Sequence, residues 1–280
     1  MIDAHVHLWD TGRHSYPWLA EAVTLPDRAL LDDYREATLD SRPDGFVFVQ
    51  AGAADDDGAA EARWVHDQCA NQADFAGMVV WAPIEDGPSA VAAHLGTLPM
   101  RRVRGVRRML QGERPGLAAQ SGFVEAVAAL AAEDLAFDLC LHPHQQVEAV
   151  GLARGAPHTR LVLDHLAKPD IAGHGFDEWQ TGFRALAACD NVWCKLSGLV
   201  TEADPERWSR ADLAPFVAEA LEAFGPQRLL WGSDWPVCTL AATHHRWWAA
   251  TAELLADLSG AERHAILHGT AVEVYRLEGF

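Results

Sequence analysis

Short apolar runs alternate along the chain with longer segments in which apolar residues recur at helical spacing. Runs of this length, rich in Val, Leu, Ile and Phe, are typical of buried strands. The eight predicted strands cover residues 2–8, 45–51, 76–82, 103–109, 136–141, 160–166, 192–196 and 229–234. The predicted helices cover residues 29–39, 59–70, 88–98, 123–132, 146–154, 176–188, 211–224 and 241–258.

The regular alternation of strand and helix predicts an α/β fold with a parallel sheet. Eight units of about 30–35 residues fit a closed (β/α)8 TIM barrel, so residues 1–280 are predicted to form a single domain. The alternative is an open doubly wound sheet, which usually carries a GxGxxG motif after its first strand. No such motif follows residues 2–8, so the barrel is the favoured prediction.

The charge of the chain excludes two classes of partner. It carries 40 acidic and 22 basic residues, which gives a formal net charge of −18 at pH 7. Nucleic acids and anionic membrane surfaces both attract basic proteins, so neither partner is expected. The sequence also contains no stretch of about 18 apolar residues that could span a bilayer. The acidic residues are therefore predicted to form a solubilising exterior.

The cysteines and the first residues bear on the cellular compartment. The five cysteines are an odd number and contain no CxxC pair, so neither a disulfide framework nor a zinc ribbon is predicted. The chain opens directly into Met1-Ile2-Asp3, without the basic and apolar regions of a signal peptide. The predicted compartment is a reducing cytoplasm.

Two histidines and one aspartate are the strongest candidates for chemistry. His5 and His7 lie two apart on the first predicted strand, so both side chains point to one face. Asp234 ends the eighth strand, which barrel closure places beside the first. Together these groups can activate a water or bind a metal. The alternatives are buried, hydrogen-bonded histidines and an aspartate that caps the following turn.

Two other strand ends carry histidines. The fifth strand runs into His142 and His144, and the proline between them interrupts the strand. The sixth runs into Asp164 and His165, where the aspartate is either a site residue or a partner for a backbone amide. Cys140 shares a face with His142, but a cysteine in the middle of a strand is predicted to be a core residue rather than a nucleophile.

The basic residues also show a pattern. Arg107 and Arg108 are adjacent on the fourth strand, so only one of them can point into the barrel. Lys168 and Lys195 are the only two lysines in a chain that otherwise uses arginine. These two positions are candidates for a compact ammonium group that a guanidinium group cannot replace, although two surface lysines remain the alternative.

Two loops complete the prediction. Residues 9–27 form a long loop after the first strand, and in a barrel such loops cover the active site. Its aromatic residues, Trp9, Tyr16 and Trp18, either line that site or pack within the loop. Residues 55–57 are three consecutive aspartates and predict a solvated loop that leads into a helix.

The motifs at the strand ends resemble those of the amidohydrolase superfamily, in the lactonase branch that includes fuconolactonase-like and rhamnonolactonase-like enzymes and the pyrone-dicarboxylate lactonase. In chain order they are IDAHVHLW at 2–9, GVR at 105–107, LDHLAKP at 163–169, CKLSGL at 194–199, FGP at 224–226 and GSDWPV at 232–237. The resemblance spans nearly the whole chain. One departure is Gly269-Thr270-Ala271, where the family usually reads Gly-Asn-Ala, and Thr270 is expected to cap a helix in the same way.

The resemblance implies a hydrolase of carboxylic esters whose small-molecule substrate is the lactone of a sugar acid. Asp234 is expected to activate the attacking water, while His5 and His7 polarise the carbonyl and hold the oxyanion. The expected substrate-binding residues are Arg107, His165, Lys168 and Lys195, either His142 or His144, and either Trp81 or Trp235 stacked on the sugar ring.

The same resemblance does not decide whether the protein binds a metal ion. Many barrels of the superfamily hold zinc, often with a bridging lysine on the fourth strand, but residues 101–109 contain no lysine and a two-metal site is not expected. One divalent ion, zinc, on His5, His7 and Asp234 with His165 or His142 is possible. Members of the lactonase branch work without a metal, and a lactone is an activated ester, so metal-independent catalysis is the favoured prediction.

Two other functions use the same residues. The first is a zinc-dependent decarboxylase of an aromatic or muconate-type acid, which the superfamily scaffold also supports and which requires stoichiometric metal. The second is a non-catalytic barrel that binds a sugar without turnover. The joint presence of His5, His7 and Asp234 speaks against the second alternative.

Overall fold

Eight parallel strands form the centre of the fold in the computed structural model, which describes residues 1–54 and 56–280. They are β1 (Ile2–Val6), β2 (Gly45–Val49), β3 (Phe75–Val80), β4 (Val103–Arg107), β5 (Ala136–Leu139), β6 (Leu161–Leu163), β7 (Val192–Leu196) and β8 (Leu229–Trp231). Each strand pairs in parallel with the next one along the chain. The predicted (β/α)8 barrel is confirmed.

Helices follow the strands. They are α1 (Leu31–Ala37), α2 (Gly58–Cys69), α3 (Pro88–Leu95), α4 (Ser121–Ala129), α5 (Gln146–Gly155), α6 (Phe176–Ala187), α7 (Arg210–Phe224), α8 (His244–Leu254), α9 (Gly260–His264) and α10 (Thr270–Val274). A π-helical turn joins α9 directly to α10; the apolar pattern predicts neither helix, although the resemblance implies one near Thr270. Thr270 lies inside this continuous segment and donates to the carbonyl of Gln227 (3.3 Å), so its predicted capping role is wrong.

The interior of the barrel has an apolar layer beneath a polar one. Alternating strand positions, among them Val47, Val49 and Ala136, form a buried apolar cluster with Tyr275 from the end of the chain. Two residues further along β5, on the same face as Ala136, stands Asp138, which is completely buried. The strand period therefore carries polar side chains into the barrel above the apolar layer.

The barrel closes between β8 and β1 just beyond the end of β8. The amide of Asp234 donates to the carbonyl of His5 (2.9 Å), and the amide of His7 donates to the carbonyl of Trp235 (2.8 Å). Gly232 permits this approach, because a Cβ atom there would lie 2.7 Å from the Cβ of His5. Closure thus fixes the backbone of Asp234 against the strand that carries both histidines.

One buried side chain also stabilises this seam, the junction between β8 and β1. Asp3 is completely buried and accepts a hydrogen bond from the amide of Ser233 (2.8 Å) on one carboxylate oxygen. Its other oxygen accepts from the hydroxyl of Tyr34 (3.0 Å) and lies 3.6 Å from the imidazole of His244. The Asp3 carboxylate therefore takes the place of a strand partner for the end of β8 and joins it to α1 and α8.

Strand β6 ends earlier than predicted. The prediction of a strand through residue 166 is wrong because His165, Leu166, Ala167 and Lys168 all adopt left-handed backbone angles, with φ between 50° and 58°. Non-glycine residues pay roughly 1–2 kcal/mol each for this conformation. The turn is held by a hydrogen bond from Trp179 to the carbonyl of Leu166 (2.6 Å).

The predicted long loop after β1 packs over the carboxyl ends of the strands. The indole of Trp18 lies 5.6 Å from that of Trp9 and donates to the carbonyl of Ala51 (2.7 Å), directly after β2. Trp9 and Tyr16 are buried within the loop. The amide of Ala51 in turn donates to the buried carboxyl of Glu61 on α2 (3.1 Å). This pair of hydrogen bonds anchors the loop through Ala51.

The other predictions about the chain concern loops and membranes. Of the predicted loop at 55–57, Asp55 lies outside the described residues, and Asp56 and Asp57 form a turn before α2. No helix among residues 1–54 and 56–280 has the length and apolar character needed to cross a bilayer.

We expect the substitution Asp3→Ala to lower the free energy of unfolding by about 2–4 kcal/mol, because the Ser233 amide and the Tyr34 hydroxyl lose their acceptor inside the protein. Urea denaturation at pH 7 measures the change. The matched control is Asp32→Ala, whose side chain is 98% exposed and should change stability by less than about 0.5 kcal/mol. Equal stabilities of the two variants would contradict the role given to Asp3.

A second prediction concerns Glu61, whose pKa is raised to about 7 by burial. Because the folded state holds the proton more tightly than the unfolded chain, this group stabilises the fold fully at low pH and less as the pH rises through 7. We therefore expect Glu61→Gln to gain stability relative to the native protein between pH 5 and pH 8, by a value on the order of 3 kcal/mol. Urea denaturation at both pH values, with the exposed Glu21→Gln as control, tests this. A pH-independent difference would refute it.

Candidate active site

A cavity of about 290 Å³ opens at the carboxyl ends of the strands. Its polar lining consists of His7, Arg107, Gln111, His165, Lys168 and Asp234. The rest of its lining consists of Trp18, Ala51, Met109, Gly112, Cys140 and Val237. The carboxyl ends of the strands carry the active site in barrels of this type, and the volume suits one small ring compound.

Three of the predicted residues meet beside this cavity: His7 and Asp234 line it, whereas His5 is completely buried and does not. The Nε2 atoms of His5 and His7 are 3.2 Å apart, and the Oδ1 atom of Asp234 lies 3.6 Å from the first and 3.4 Å from the second. The Nδ1 atom of His7 is 2.8 Å from the carbonyl oxygen of Val49. A carbonyl only accepts, so Nδ1 of His7 donates, and in the neutral ring its Nε2 presents a lone pair.

Asp234 is held as a carboxylate. Its φ of 59° lies in the left-handed region, which the closure contact with His5 stabilises. Burial opposes its charged form, but the imidazoles of His165, His7 and His5 outweigh burial and hold the pKa of Asp234 below its ordinary value. An ionised carboxylate beside two imidazoles can accept a proton from water.

His165 enters the site from the left-handed turn after β6. Its ring lies 4.6 Å from that of His5, and its Nδ1 is 2.9 Å from the hydroxyl of Ser197 on the next strand end. Gly198 leaves room for this ring, because a Cβ atom there would lie 2.6 Å from Nδ1. Burial lowers the pKa of His165 to about 4, so this imidazole is neutral at pH 7.

A buried cluster of two basic and two acidic side chains lies beneath the site. Arg107 donates to Asp164 (3.0 Å), and the ammonium of Lys195 contacts Asp164 (2.9 Å) and Asp138 (2.6 Å). The hydroxyl of Tyr275 donates to Asp138 (2.8 Å). Burial raises the pKa of Asp138, whereas Lys195 and its neighbours outweigh burial and hold the pKa of Asp164 well below its ordinary value. Lys195 is completely buried and does not line the cavity, unlike the substrate-binding position expected for it.

Sequence reasoning missed part of this cluster. Asp138 interrupts an apolar strand, which is the same signal that singles out Asp234, but its position in mid-strand hides its role. Tyr275 lies far from every motif and joins the cluster only through the fold. Arg107 rather than Arg108 points inward, as one of the pair was expected to do, and Arg108 instead pairs with Glu85 (2.7 Å).

The remaining basic candidates lie at the edge of the cavity. Lys168 lines it and pairs with Glu202 (2.7 Å). Lys168 and Glu202 also line a neighbouring cavity of about 350 Å³ together with His142 and His144, whose rings stack 5.9 Å apart. Neither of these two histidines lines the central cavity, so the structure brings them near Lys168 but not to the triad.

The remaining candidate residues are two tryptophans and one cysteine. Trp81 packs against His94 with ring centres 5.1 Å apart, and the buried Trp235 packs against Tyr34 at 5.4 Å. Neither tryptophan lines the cavity; Trp18 does. Cys140 also lines it, but burial raises the pKa of Cys140 to about 11, so the thiol is protonated and is no nucleophile at pH 7.

The spacing of the triad fits a single metal ion. Zinc holds nitrogen and oxygen ligands at about 2.0–2.1 Å in a tetrahedron, so two ligands are about 3.4 Å apart. The three separations among His5, His7 and Asp234 are 3.2, 3.4 and 3.6 Å. A second possible group combines His5 with Asp164 and His165, but Asp164 already contacts two cations. Within the described residues, His142 belongs to neither group.

Known proteins share this architecture. The profile of the Amidohydrolase family matches residues 2–277. The chain is similar to an L-fucono-1,5-lactonase of Burkholderia multivorans, with 35% identity over 99% of this chain and 96% of the relative. An L-fucono-1,5-lactonase of Burkholderia ambifaria has 32% identity over the same shares of the two chains.

A solved structure gives the same result for the fold. The crystal structure of an amidohydrolase from Burkholderia multivorans with bound zinc is similar to this chain, with a TM-score of 0.90, 32% identity and 99% coverage of both chains. The family profile and these relatives each cover nearly the full length of the chain. This chain belongs to the amidohydrolase family.

Proposed function

We propose that the protein hydrolyses lactones of sugar acids, with Asp234 as the general base. The observation that carries the proposal is an ionised carboxylate, 3.4–3.6 Å from two imidazole nitrogens, at the base of a cavity that admits one sugar ring. The two relatives named L-fucono-1,5-lactonase support the choice of substrate class.

The reaction adds water to the ring ester. Asp234 accepts a proton from the water while the oxygen attacks the carbonyl carbon, which produces a tetrahedral oxyanion. The bond between that carbon and the ring oxygen then breaks, and the proton held by Asp234 passes to the departing alkoxide. The product is an open-chain hydroxy acid. The lone pair on the Nε2 of His7 faces Asp234 and orients the attacking water by accepting its second hydrogen bond.

Donors from several strands stabilise the oxyanion. His5 adjoins the Asp234 carboxylate, the guanidinium group of Arg107 lies 3.4 Å from the Nε2 of His5, and His165 forms the adjoining wall. Burial lowers the pKa of His5 well below its ordinary value, so His5 acts as a neutral imidazole. If a metal ion is held by His5, His7 and Asp234, it supplies Lewis-acid polarisation of the same carbonyl.

The charges of the cavity favour a neutral substrate. Its two cationic residues in the described part of the chain, Arg107 and Lys168, are each paired with a carboxylate, Asp164 and Glu202. Asp234 adds a further negative charge at the base. A neutral, hydroxylated lactone meets donors and acceptors there, whereas an aromatic carboxylate finds no unpaired cation. This supports a lactonase over the decarboxylase alternative.

We expect Asp234→Asn to lower kcat/KM for aldonolactones by a factor on the order of 10²–10⁴, because the amide keeps the shape of the side chain but cannot accept the proton. Acid release from a panel of aldonolactones, corrected for spontaneous hydrolysis, is the measurement. Asp32→Asn is the matched control, since that carboxylate is 98% exposed. Unchanged rates in Asp234→Asn would remove the general base from the mechanism, and binding of lactones without any acid release by the native protein would favour the non-catalytic barrel.

The pH dependence follows from the same groups. His165 has a pKa lowered to about 4, and the pKa of Asp234 lies below its ordinary value, so the neutral imidazole and the carboxylate both persist down to about pH 4. We expect these two groups to contribute no acid limb to kcat/KM between pH 5 and pH 7 and to lower it only below about pH 4, with circular dichroism as the control for folding. An NMR titration of the His165 ring with a midpoint near pH 6.5, the ordinary value for histidine, would contradict the burial of this group.

A further inference from the structure

Trp18 is the one tryptophan, tyrosine or phenylalanine among the described residues that line the central cavity. The other two aromatic residues of its loop, Trp9 and Tyr16, are buried and do not line the cavity. Trp81 and Trp235, which the sequence made candidates for stacking on the sugar ring, pack against other side chains. Of these five residues, Trp18 is therefore the one that a ligand in the cavity can contact.

One edge of the Trp18 indole is fixed against the chain after β2. Its Nε1 donates to the carbonyl of Ala51 (2.7 Å), and a Cβ atom at Gly52 would lie 3.2 Å from its Nε1 and Cδ1 atoms. The Nε1–H group is thus already bonded inside the protein and is not available to a ligand. Just before Trp18, the carbonyl of Ser15 accepts from the amide of Ala54 (2.9 Å), which ties the loop to the same segment.

What Trp18 offers to the cavity is apolar ring surface. The rings of Trp18 and Trp9 are T-shaped, with an angle of 86° between their planes and centres 5.6 Å apart. In a T-shaped pair the edge of one ring points at a single face of the other, so at least one face of the Trp18 indole is not covered by Trp9. Because its only polar group is bonded to Ala51, the contact that Trp18 makes with a ligand is apolar.

Polar groups of the cavity stand across the barrel from Trp18. Trp18 is anchored at the end of β2, whereas His165 and Lys168 follow β6, four strands further round the eight-stranded barrel. Strands four places apart lie opposite each other in such a barrel. A ring bound between the two sides meets hydrogen-bonding groups on one side and an indole on the other. Cyclic sugars are divided in the same way, because they combine hydroxyl groups with patches of ring C–H groups.

We propose that Trp18 is a substrate-binding residue on which the lactone ring stacks through its C–H groups. This inference rests on the proposed function, because it takes the lactone as the ligand. The indole carries no charge and meets the ring in the same way before and during the attack of water. It therefore stabilises the bound substrate and the transition state equally, and it contributes to binding rather than to the chemical step.

The first test compares Trp18→Leu with Trp18→Phe. Leucine is apolar but has no flat ring, whereas phenylalanine keeps a ring and loses the bond to Ala51. We expect Trp18→Leu to raise KM for aldonolactones at least about tenfold and to change kcat less than about threefold, because uniform binding is lost. Trp18→Phe should raise KM less than about threefold, since the ring face remains.

Trp81→Leu is the matched control. It makes the same change in a tryptophan that packs against His94 outside the cavity, so KM should stay within about twofold of the native value. Circular dichroism compares the folding of all three variants with that of the native protein. Equal losses in Trp18→Leu and Trp18→Phe would assign the effect to the bond with Ala51 and overturn the stacking role, as would an unchanged KM in Trp18→Leu.

A second measurement uses the native sequence and does not depend on turnover. The protein is labelled with 5-fluorotryptophan at its 11 tryptophans, and the ¹⁹F resonances of Trp18 and Trp81 are assigned through Trp18→Phe and Trp81→Leu. The probes are the 1,5-lactams of the sugar acids in the panel, because a ring amide resists hydrolysis. We expect these lactams to shift the Trp18 resonance and to leave that of Trp81 unchanged.

This measurement decides the question even if Trp18→Leu does not fold. A Trp18 resonance that stays in place while a lactam binds would overturn the stacking role. If the native protein opens no lactone although the lactams shift the Trp18 resonance, the proposed hydrolysis fails and the stacking site remains. Absence of both hydrolysis and lactam binding would overturn both proposals.

Discussion

The amide of Asp234 donates a hydrogen bond to the carbonyl of His5, and this contact joins the end of the last strand to the first. A carboxylate and two imidazoles that lie more than 220 residues apart in the chain meet at this contact. The buried carboxylate of Asp3 holds the same seam by accepting the amide of Ser233. The stability of the fold and the geometry of the candidate site therefore depend on the same line of hydrogen bonds, and a change that loosens the seam separates Asp234 from His5 and His7.

The second requirement is charge balance in the interior. A buried ion costs several kcal/mol unless partners surround it, so the anions Asp138 and Asp164 are matched by Arg107 and Lys195. This balance leaves the cluster beneath the cavity without net charge, and burial keeps His5 unprotonated. In such a medium of low dielectric constant, each hydrogen bond to a developing charge is stronger than in water.

Backbone strain recurs on both sides of the candidate site. Four consecutive residues from His165 to Lys168, and Asp234 on the far side of the cavity, adopt left-handed angles that non-glycine residues rarely take. The turn aims the ring of His165 at His5, and the absence of a side chain at Gly198 leaves space for that ring. Tertiary contacts such as the bond from Trp179 to the turn offset the strain.

The sequence by itself determined the eight strands, the barrel and the convergence of His5, His7 and Asp234, because strand periodicity and barrel closure are rules of local pattern and topology. It did not determine which polar strand-end residues line the cavity. Lys195 faces the interior below the site, and Trp81 and Trp235 pack against side chains outside the cavity. The sequence had made each of the three a candidate for binding the substrate. Only the tertiary structure decided these roles, because the orientation of a side chain depends on where its strand or turn ends and on which partners, such as Asp138 and Tyr275, arrive from distant segments.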